Sequence, residues 1–585
     1  MILILIGALV GMIGALPILV FGGGTRRLFL WAAVSVPIWS AFLWLDPIQL
    51  VGPFLGSPIQ GRLLFAFGAT AVYYLARYRC REDERVINRT FGLAFVTLIL
   101  LLVGWFVTTS GMFHSSDYRA FVADRVNSGT WTEDVSPIDP AHLRQVSQAE
   151  AEWKGSQALS QVPGGALGSQ FRPGGYVIQK TGNGLAWVSP LEYQGLMAWF
   201  RADCAPGYVR LSAEDRDQKP RLVSDLKLRY LESAYFNDNL WRHVVTNGYL
   251  TKGLTDPTFE VDDEGRPFYV YTRFEYTIGY GGMNPVGAII VDPQTGDMKE
   301  YGMDDLPAWV DRIVPEETAH DRLEWYGSYV HGWWNSMLGS QDVVVPTDDD
   351  MTLVWGTGGE AYWFTGMTSV ADTDHAITSV MLMSSRTGQV REYRVDGGSE
   401  ETNVMAAVES SVSEHEDWVA TPPIPENVYG DLAWVVPVVN EDGVPQRIAI
   451  VSRDAAKVAL GENVRQALAE YRRKVADAGG HTVAEDAATL ESLIGVVDRF
   501  AASTRNGNTT FLFTVLENDR VFEDSSGVSP ELPLTRAGDQ VSIGYLETGE
   551  TMVPVRSFDN LDIASRVSEA QQRADTIADE QRRSE

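Results

Sequence analysis

The stretch VDPQTGDMKEY at 291–301 returns, little altered, as MSSRTGQVREY at 383–393. Such a recurrence constrains a fold closely, because each copy has to be one supersecondary unit that buries its apolar face against its neighbours. Ahead of the two copies lie the apolar runs Val286–Ile290 and Thr378–Leu382, so each reads as strand, tight Thr-Gly turn, strand. Further upstream TFEVDDEGRPFYVYT (258–272) corresponds to TLVWGTGGEAYWFTG (352–366), a second hairpin turned at Gly265 and Gly359. Helical periodicity precedes each, around NLWRHVVTNGYL (239–250) and WYGSYVHGWWNSML (325–338). The unit is one helix followed by four antiparallel strands.

Two fainter copies flank these. YVIQKTGNGLAWVSP (176–190) turns at Gly184 after the helix-like HLRQVSQAEAEWKGSQAL, and NVYGDLAWVVPVV (427–439) turns at Gly430 after NVMAAVESSVSE. Repeats are therefore expected over 140–232, 233–312, 313–398 and 399–480, strung as a rod or arc. The turn carrying Asp292, Thr295 and Gly296, and its third-copy equivalent with Ser384, Thr387 and Gly388, resembles that of the PepSY domain; the resemblance spans about 140–475. It implies an α+β, cystatin-like fold with the helix on one face of an antiparallel sheet. It also implies an extracytoplasmic binding or regulatory module, a class that includes peptidase propeptides. This chain has no attached peptidase and lacks the helix histidines of PepSY-linked haem reductases, so no cofactor is expected.

Residues 1–110 differ in kind. Four apolar stretches, Ile2–Phe21, Leu28–Leu45, Leu63–Tyr78 and Phe91–Thr109, approach the roughly 20 residues that cross a bilayer as helix. Arginine clusters at Arg26–Arg27 and Arg77–Arg89, in the first and third intervening loops, which the positive-inside rule keeps cytoplasmic, whereas DPIQLVGPFLGSPIQ between the second and third stretches has no basic residue. The expectation is an α-helical transmembrane region of three to four helices in a bacterial cytoplasmic membrane, with lipid as a partner. Both termini, a linker at 111–139 and the large α+β ectodomain would then lie outside. At the other end an amphipathic helix is expected at 486–503, a small OB-like β-barrel at 504–561 and a charged tail at 562–585.

The net charge of −30 removes the electrostatic basis of nucleic-acid binding. Common catalytic motifs are missing, and the nominal S-x-x-K at Ser224–Lys227 and K-T-G at Lys180–Gly182 run in reversed order. Acidic clusters at Asp262–Glu264 and Asp348–Asp350 lack the spacing of a calcium loop, so no metal is expected. Two H-x-x-x-N pairs, His243 with Asn247 and His331 with Asn335, lie one helical turn apart and suggest a helix-to-sheet hydrogen bond. Tyr329, Trp333 and Trp334 belong to an aromatic stripe too rich for one buried face and are candidate partner contacts. The reading is a non-enzymatic, membrane-anchored binding or assembly scaffold with a protein partner. Alternatives are a regulator or inhibitor of an extracytoplasmic peptidase, or a part of a secretion, conjugation or virion envelope apparatus.

Overall fold

Gly184, Gly265, Gly359 and Gly430, at the four hairpin tips, all take positive φ, at 96°, 80°, 75° and 84°. Glycine enters that region without steric cost, so each tip reverses the chain and folds its flanking apolar runs together. The computed structural model describes residues 103–563 except 141, 161–166, 183, 256, 348–350, 371–375, 478–489, 506–507, 526–528 and 547–550, together with Ala33, Pro37, Val96, Ile99 and Leu100.

One sheet topology occurs four times. In each module a long second strand (Gly184–Tyr193, Pro267–Ile278, Ala361–Ser369, Asp431–Asn440) pairs antiparallel with a third strand, and the third with a fourth. On its other side lies a first strand in two pieces: Phe171–Pro173 and Val177–Thr181, Gly253–Leu254 and Thr258–Val261, Val344–Pro346 and Thr352–Trp355, Trp418–Ala420 and Ile424–Val428. The sequence suggested four unbroken strands. The first one splits where Gly174–Gly175, Pro257 and Pro422–Pro423 interrupt three of the four modules; proline has no N–H for the ladder and glycine weakens a strand.

A helix precedes each sheet: Gln148–Ser160, Leu240–Val244, Glu316–Ser328 and Glu401–Ser411. Leu240 and Val244 pack with Tyr269, Tyr271 and Val291; in the third module Ala319 and Leu323 pack with Trp363, Met381 and Met383. The opposite sheet faces are covered as well. Val310 and Ile313 lie on Val270, Ala288 and Ile290, while the helix Val464–Asp477 places Ala467 and Leu468 against Ala433, Val435 and Ile450. Burial on both faces explains why LAWVVPVV is a continuous apolar run rather than an alternating one.

The recurrent turn has a second duty. Backbone N–H groups of the linker entering each module donate to the carbonyl of a single turn residue: Gln145 and Val146 to Ala213 (2.9 and 3.0 Å), Arg229 and Tyr230 to Pro293 (2.8 and 2.9 Å), Ile313 and Val314 to Ser385 (2.8 and 2.7 Å), and Ser399 to Arg453 (2.9 Å). Each turn is a clasp for its own module's linker. What the clasp requires is backbone shape and a free carbonyl, so the flanking side chains vary. The shape is set in the second and third modules by Gly296 and Gly388, at φ 79° and 72°.

The modules do not form a rod or arc. The first touches the other three: the Gln179 amide exchanges two 2.8 Å hydrogen bonds with the Val261 backbone, Arg144 donates to Leu353 O at 3.3 Å, and Arg216 to Arg447 O at 3.3 Å. Val126–Ser128, ahead of the first module, pairs in parallel with Val390–Glu392 of the third, and Pro137 bridges Asn427 of the fourth.

Among the described residues no helix is long and apolar enough to cross a membrane. That finding overturns the α-helical transmembrane part of the expected fold class, and with it the multi-pass membrane localisation and both termini's placement outside the cytoplasm. The first three apolar stretches lie outside the described residues but for Ala33 and Pro37. Of the fourth, the described end is a short helical run to Thr109; Ser110 then caps a new helix, Gly111–Ala123, by accepting from Met112 N. That helix turns Tyr118 and Val122 inward, so it is amphipathic rather than apolar all round.

The C-terminal end also differs from expectation. Where a helix is expected at 486–503, the described residues Leu490–Arg505 form a 16-residue strand that opens a closed five-stranded barrel with Asn508–Val515, Val521–Ser525, Gln540–Leu546 and Met552–Asn560. It serves two neighbours, shifting register between Val497 and Arg499, so no single alternation marks it in the sequence. Phe513, Phe522 and Val553 fill the barrel, which is tied to the fourth module by the ion pair Arg472–Glu523 at 2.6 Å. The tail from 564 onward lies outside the described residues.

The clasp predicts a graded set of stabilities. A Cβ on Gly296 would meet the Tyr230 ring at 2.6 Å and His243 Nε2 at 2.9 Å, and one on Gly388 would meet Arg322 Nη1 at 2.7 Å. Gly296→Val and Gly388→Val should each destabilise the chain by about 1–3 kcal/mol through strained φ and these contacts. Gly358→Ala, which has open space and no positive φ, should cost under about 1 kcal/mol. Denaturant unfolding of the three variants measures the difference.

Candidate functional site

The two polar pairs hold different positions despite their shared spacing. His243 Nε2 lies 2.8 Å from Gly296 O, and since a carbonyl only accepts, Nε2 carries the proton and Nδ1 faces the Asn247 amide at 3.3 Å. The ring also lies tilted against Tyr230, 4.1 Å between centroids. This pair therefore joins helix to clasp in the second module. His331 instead contacts Asp342 (Nε2 to Oδ2, 2.9 Å), and Asn335 donates to Gln341 O (2.9 Å) and accepts from Gln341 N (3.2 Å).

The difference arises because the helix expected at 325–338 ends early. Tyr329 terminates Glu316–Ser328, Gly332 takes φ 83°, and Asn335–Gly339 forms one wide turn before Ser340 at φ 48°. Residues 329–343 thus form a longer connection between helix and sheet than 245–252 of the second module. Tyr329 is not free for a partner: its ring lies 6.4 Å from Tyr118, which also packs on Trp325 at 4.6 Å. Trp333 is half-buried edge-on against Trp334, at 4.7 Å. Trp334, Met337 and Leu338 stand out in solvent, at 59%, 63% and 78% exposure.

A second feature left no trace in the sequence. The splits in the first strands of modules one, three and four face a common cavity of about 490 Å³, lined by Tyr176, Met351 and Pro422–Pro423 among others. Three helices begin there, at Gln148, Glu316 and Glu401. Arg144 and Arg312 line it too. Arg144 lies 5.2 Å over the Trp187 ring and donates to Leu353 O at 3.3 Å; Arg312 donates to Ile178 O at 3.4 Å. Among the described residues neither guanidinium has an ion-pair partner, and each Nε is buried without an acceptor. A guanidinium carries five donors, so most of this hydrogen-bonding capacity is unspent. Glu316 accepts from Met351 N at 2.9 Å and Glu401 from Gly366 N at 3.3 Å.

Carboxyls around this junction hold their protons unusually well. Burial pushes Glu426 up to about 8 against the pull of Arg144. It holds Glu260 at about 7, with Arg312 opposing and Asp311 reinforcing, and raises Asp311 to about 6 against the Lys180 N–H and Arg312. Arg144 is itself drawn down to about 10 by burial, opposed by Glu426 and reinforced by Arg312, and stays a cation at neutral pH.

The remaining candidates are placed elsewhere. Ser224 is exposed just after the strand Arg221–Val223, while Lys180 sits in the strand Val177–Thr181 with its N–H on Asp311 Oδ2 at 2.7 Å. Asp262 caps its own turn, accepting from Arg266 Nε at 2.7 Å; Asp348–Asp350 lie outside the described residues. No family model matches the chain, and no curated protein matches it. Among solved structures, an endo-1,4-beta-xylanase from Bacteroides thetaiotaomicron aligns over 66% of this chain and 94% of its own, at 10% identity and a TM-score of 0.16. At that TM-score the likeness carries no argument about fold or activity.

The raised carboxyls predict a pH dependence with a definite sign. Between the unfolded value near 4.5 and about 7, folded Glu260 binds more protons than unfolded Glu260, so stability falls as pH rises through that window. Asp311 and Glu426 act in the same direction over their own ranges. Glu260→Gln keeps an acceptor for Asp311 N and turns an NH2 toward Thr258 Oγ1, which can accept, but cannot ionise. Melting temperatures from pH 4.5 to 7.5 should decline for the native chain and decline less for E260Q.

Proposed function

We propose that this chain is a non-enzymatic binding or assembly scaffold that engages a protein partner through the long connection 329–343 of its third module. The observation that carries the reading is the ordered exposure of Trp334, Met337 and Leu338. These side chains stand on backbone pinned by Asn335 and Gln341, with Ser340 N on Asn335 O at 2.7 Å, so the apolar tip is held in shape rather than left to collapse. Exposed apolar surface on a fixed element is a feature of interaction sites, and tryptophan dominates interface energetics. The four PepSY-like modules supply the rigid frame that presents it.

The test is affinity capture with the full chain, comparing native protein with Trp334→Ala and Leu338→Ser. A partner held by the native chain should be retained roughly tenfold less by each variant, while melting temperature changes little because both side chains are mostly exposed. Trp333→Ala, by contrast, should lower the melting temperature. Equal retention of the partner by W334A and L338S overturns the reading.

A further inference from the structure

Arg322, on the third-module helix, is among the largest side chains that the fold buries outright, at 1% exposure. A buried guanidinium normally faces a carboxylate, because the cost of removing its charge from water has to be offset. Arg322 has none. Its Nη2 donates to Met283 O at 3.1 Å and to Asn284 Oδ1 at 3.3 Å, while Nε is buried without an acceptor and Nη1 has no hydrogen bond among the described residues. What Nη1 approaches instead is a second cation. A Cβ on Gly388, in the clasp turn of this module, would stand 2.7 Å from Arg322 Nη1 and 3.4 Å from the Nη1 of Arg125, the residue just ahead of the strand Val126–Ser128. Both guanidiniums also lie over one ring, Phe121, at 4.6 Å for Arg322 and 5.5 Å for Arg125.

The two charges are not balanced from within the chain. Neither arginine forms an ion pair among the described residues. Burial draws Arg322 down to about 9 and Arg125 pulls the same way, with no acidic group opposing them. At neutral pH Arg322 is still a cation, and the shared face of Phe121 offsets only part of the repulsion. Arg125 is half-buried, and Thr387 and Gln389 on either side of the buried Gly388 are exposed, so the pair sits near the rim of the module. Two guanidiniums with unused donors at one turn form a fork that a tetrahedral oxyanion can satisfy, accepting from both.

We propose that Arg125 and Arg322 bind a free inorganic oxyanion of the phosphate or sulfate class beside the Gly388 turn. Because Arg125 O also accepts from Val390 N at 3.0 Å, the ion ties the N-terminal strand to the third module's clasp. The site shares no residue with the connection 329–343 and does not depend on partner binding there. It is tested by calorimetric titration of the full chain with sodium phosphate at fixed ionic strength, in a buffer holding no other oxyanion. Phosphate should bind saturably with Kd below about 1 mM and raise the melting temperature, and sulfate should compete. Arg125→Gln, which keeps the backbone bond to Val390, should weaken phosphate at least tenfold. Arg201→Gln, which removes the same charge from an exposed position in the first module, should bind as the native chain does. O-phosphoserine should bind at least tenfold more weakly than phosphate, since Arg322 is buried. Phenylglyoxal labelling of Arg125 in the native chain, slowed by saturating phosphate, covers the case of an R125Q chain that does not fold. No saturable binding up to roughly 10 mM, no competition by sulfate, undiminished affinity in R125Q, an equal loss in R201Q, O-phosphoserine bound as tightly as phosphate, or labelling that phosphate does not slow overturns the proposal.

Discussion

Two consecutive backbone N–H groups converging on one turn carbonyl are the interaction on which this architecture rests. Three of the four modules use that doubled bond, at Ala213, Pro293 and Ser385, and the fourth a single one at Arg453. A helix laid on a sheet by apolar contact alone can slide, since such contact is non-directional. The clasp fixes where the chain enters the helix relative to the far end of its sheet. It also satisfies linker donors that would otherwise be buried without partners.

The linker between the second and third modules extends this logic across the molecule. Within a few residues, Asp311 N donates to Glu260 Oε2 at 3.2 Å, Asp311 Oδ2 accepts from Lys180 N at 2.7 Å, and Ser385 Oγ donates to Asp311 O at 2.5 Å. Three modules are thereby joined through one residue. Asp311 and Glu260 are buried and adjacent, and Arg312 offsets their mutual repulsion through the field rather than by direct pairing. A junction of this kind is sensitive to charge in a way that the apolar cores are not.

Much of the module was legible in the sequence, for local reasons. The tip glycines and Gly296 and Gly388 were found because the positive φ they adopt leaves a residue-type signature at a fixed place. Their surroundings were less visible. The third-module helix was misplaced because Trp325–Leu338 keeps helical periodicity although Gly332 breaks its path, and Leu490–Arg505 was misread because a strand serving two neighbours loses its alternation. Apolarity over the first 110 residues suggested membrane helices, whereas the described part of the last stretch yields to an amphipathic helix packed on Trp325. The cavity had no signature at all, because it forms from residues more than two hundred positions apart whose only common property is proximity to a strand break.

The parallel pairing of Val126–Ser128 with Val390–Glu392 has a bearing on how the chain reaches this state. When the early strand leaves the ribosome its partner has not been synthesised, and more than two modules must be made and folded before the edge it needs exists. Contacts this distant in sequence carry a loop-closure cost and slow folding relative to local hairpins. Each module can draw in its own linker as it emerges, because clasp and helix are close in sequence. The N-terminal segment can then settle only once the third module is complete, after two earlier modules that it precedes in the chain.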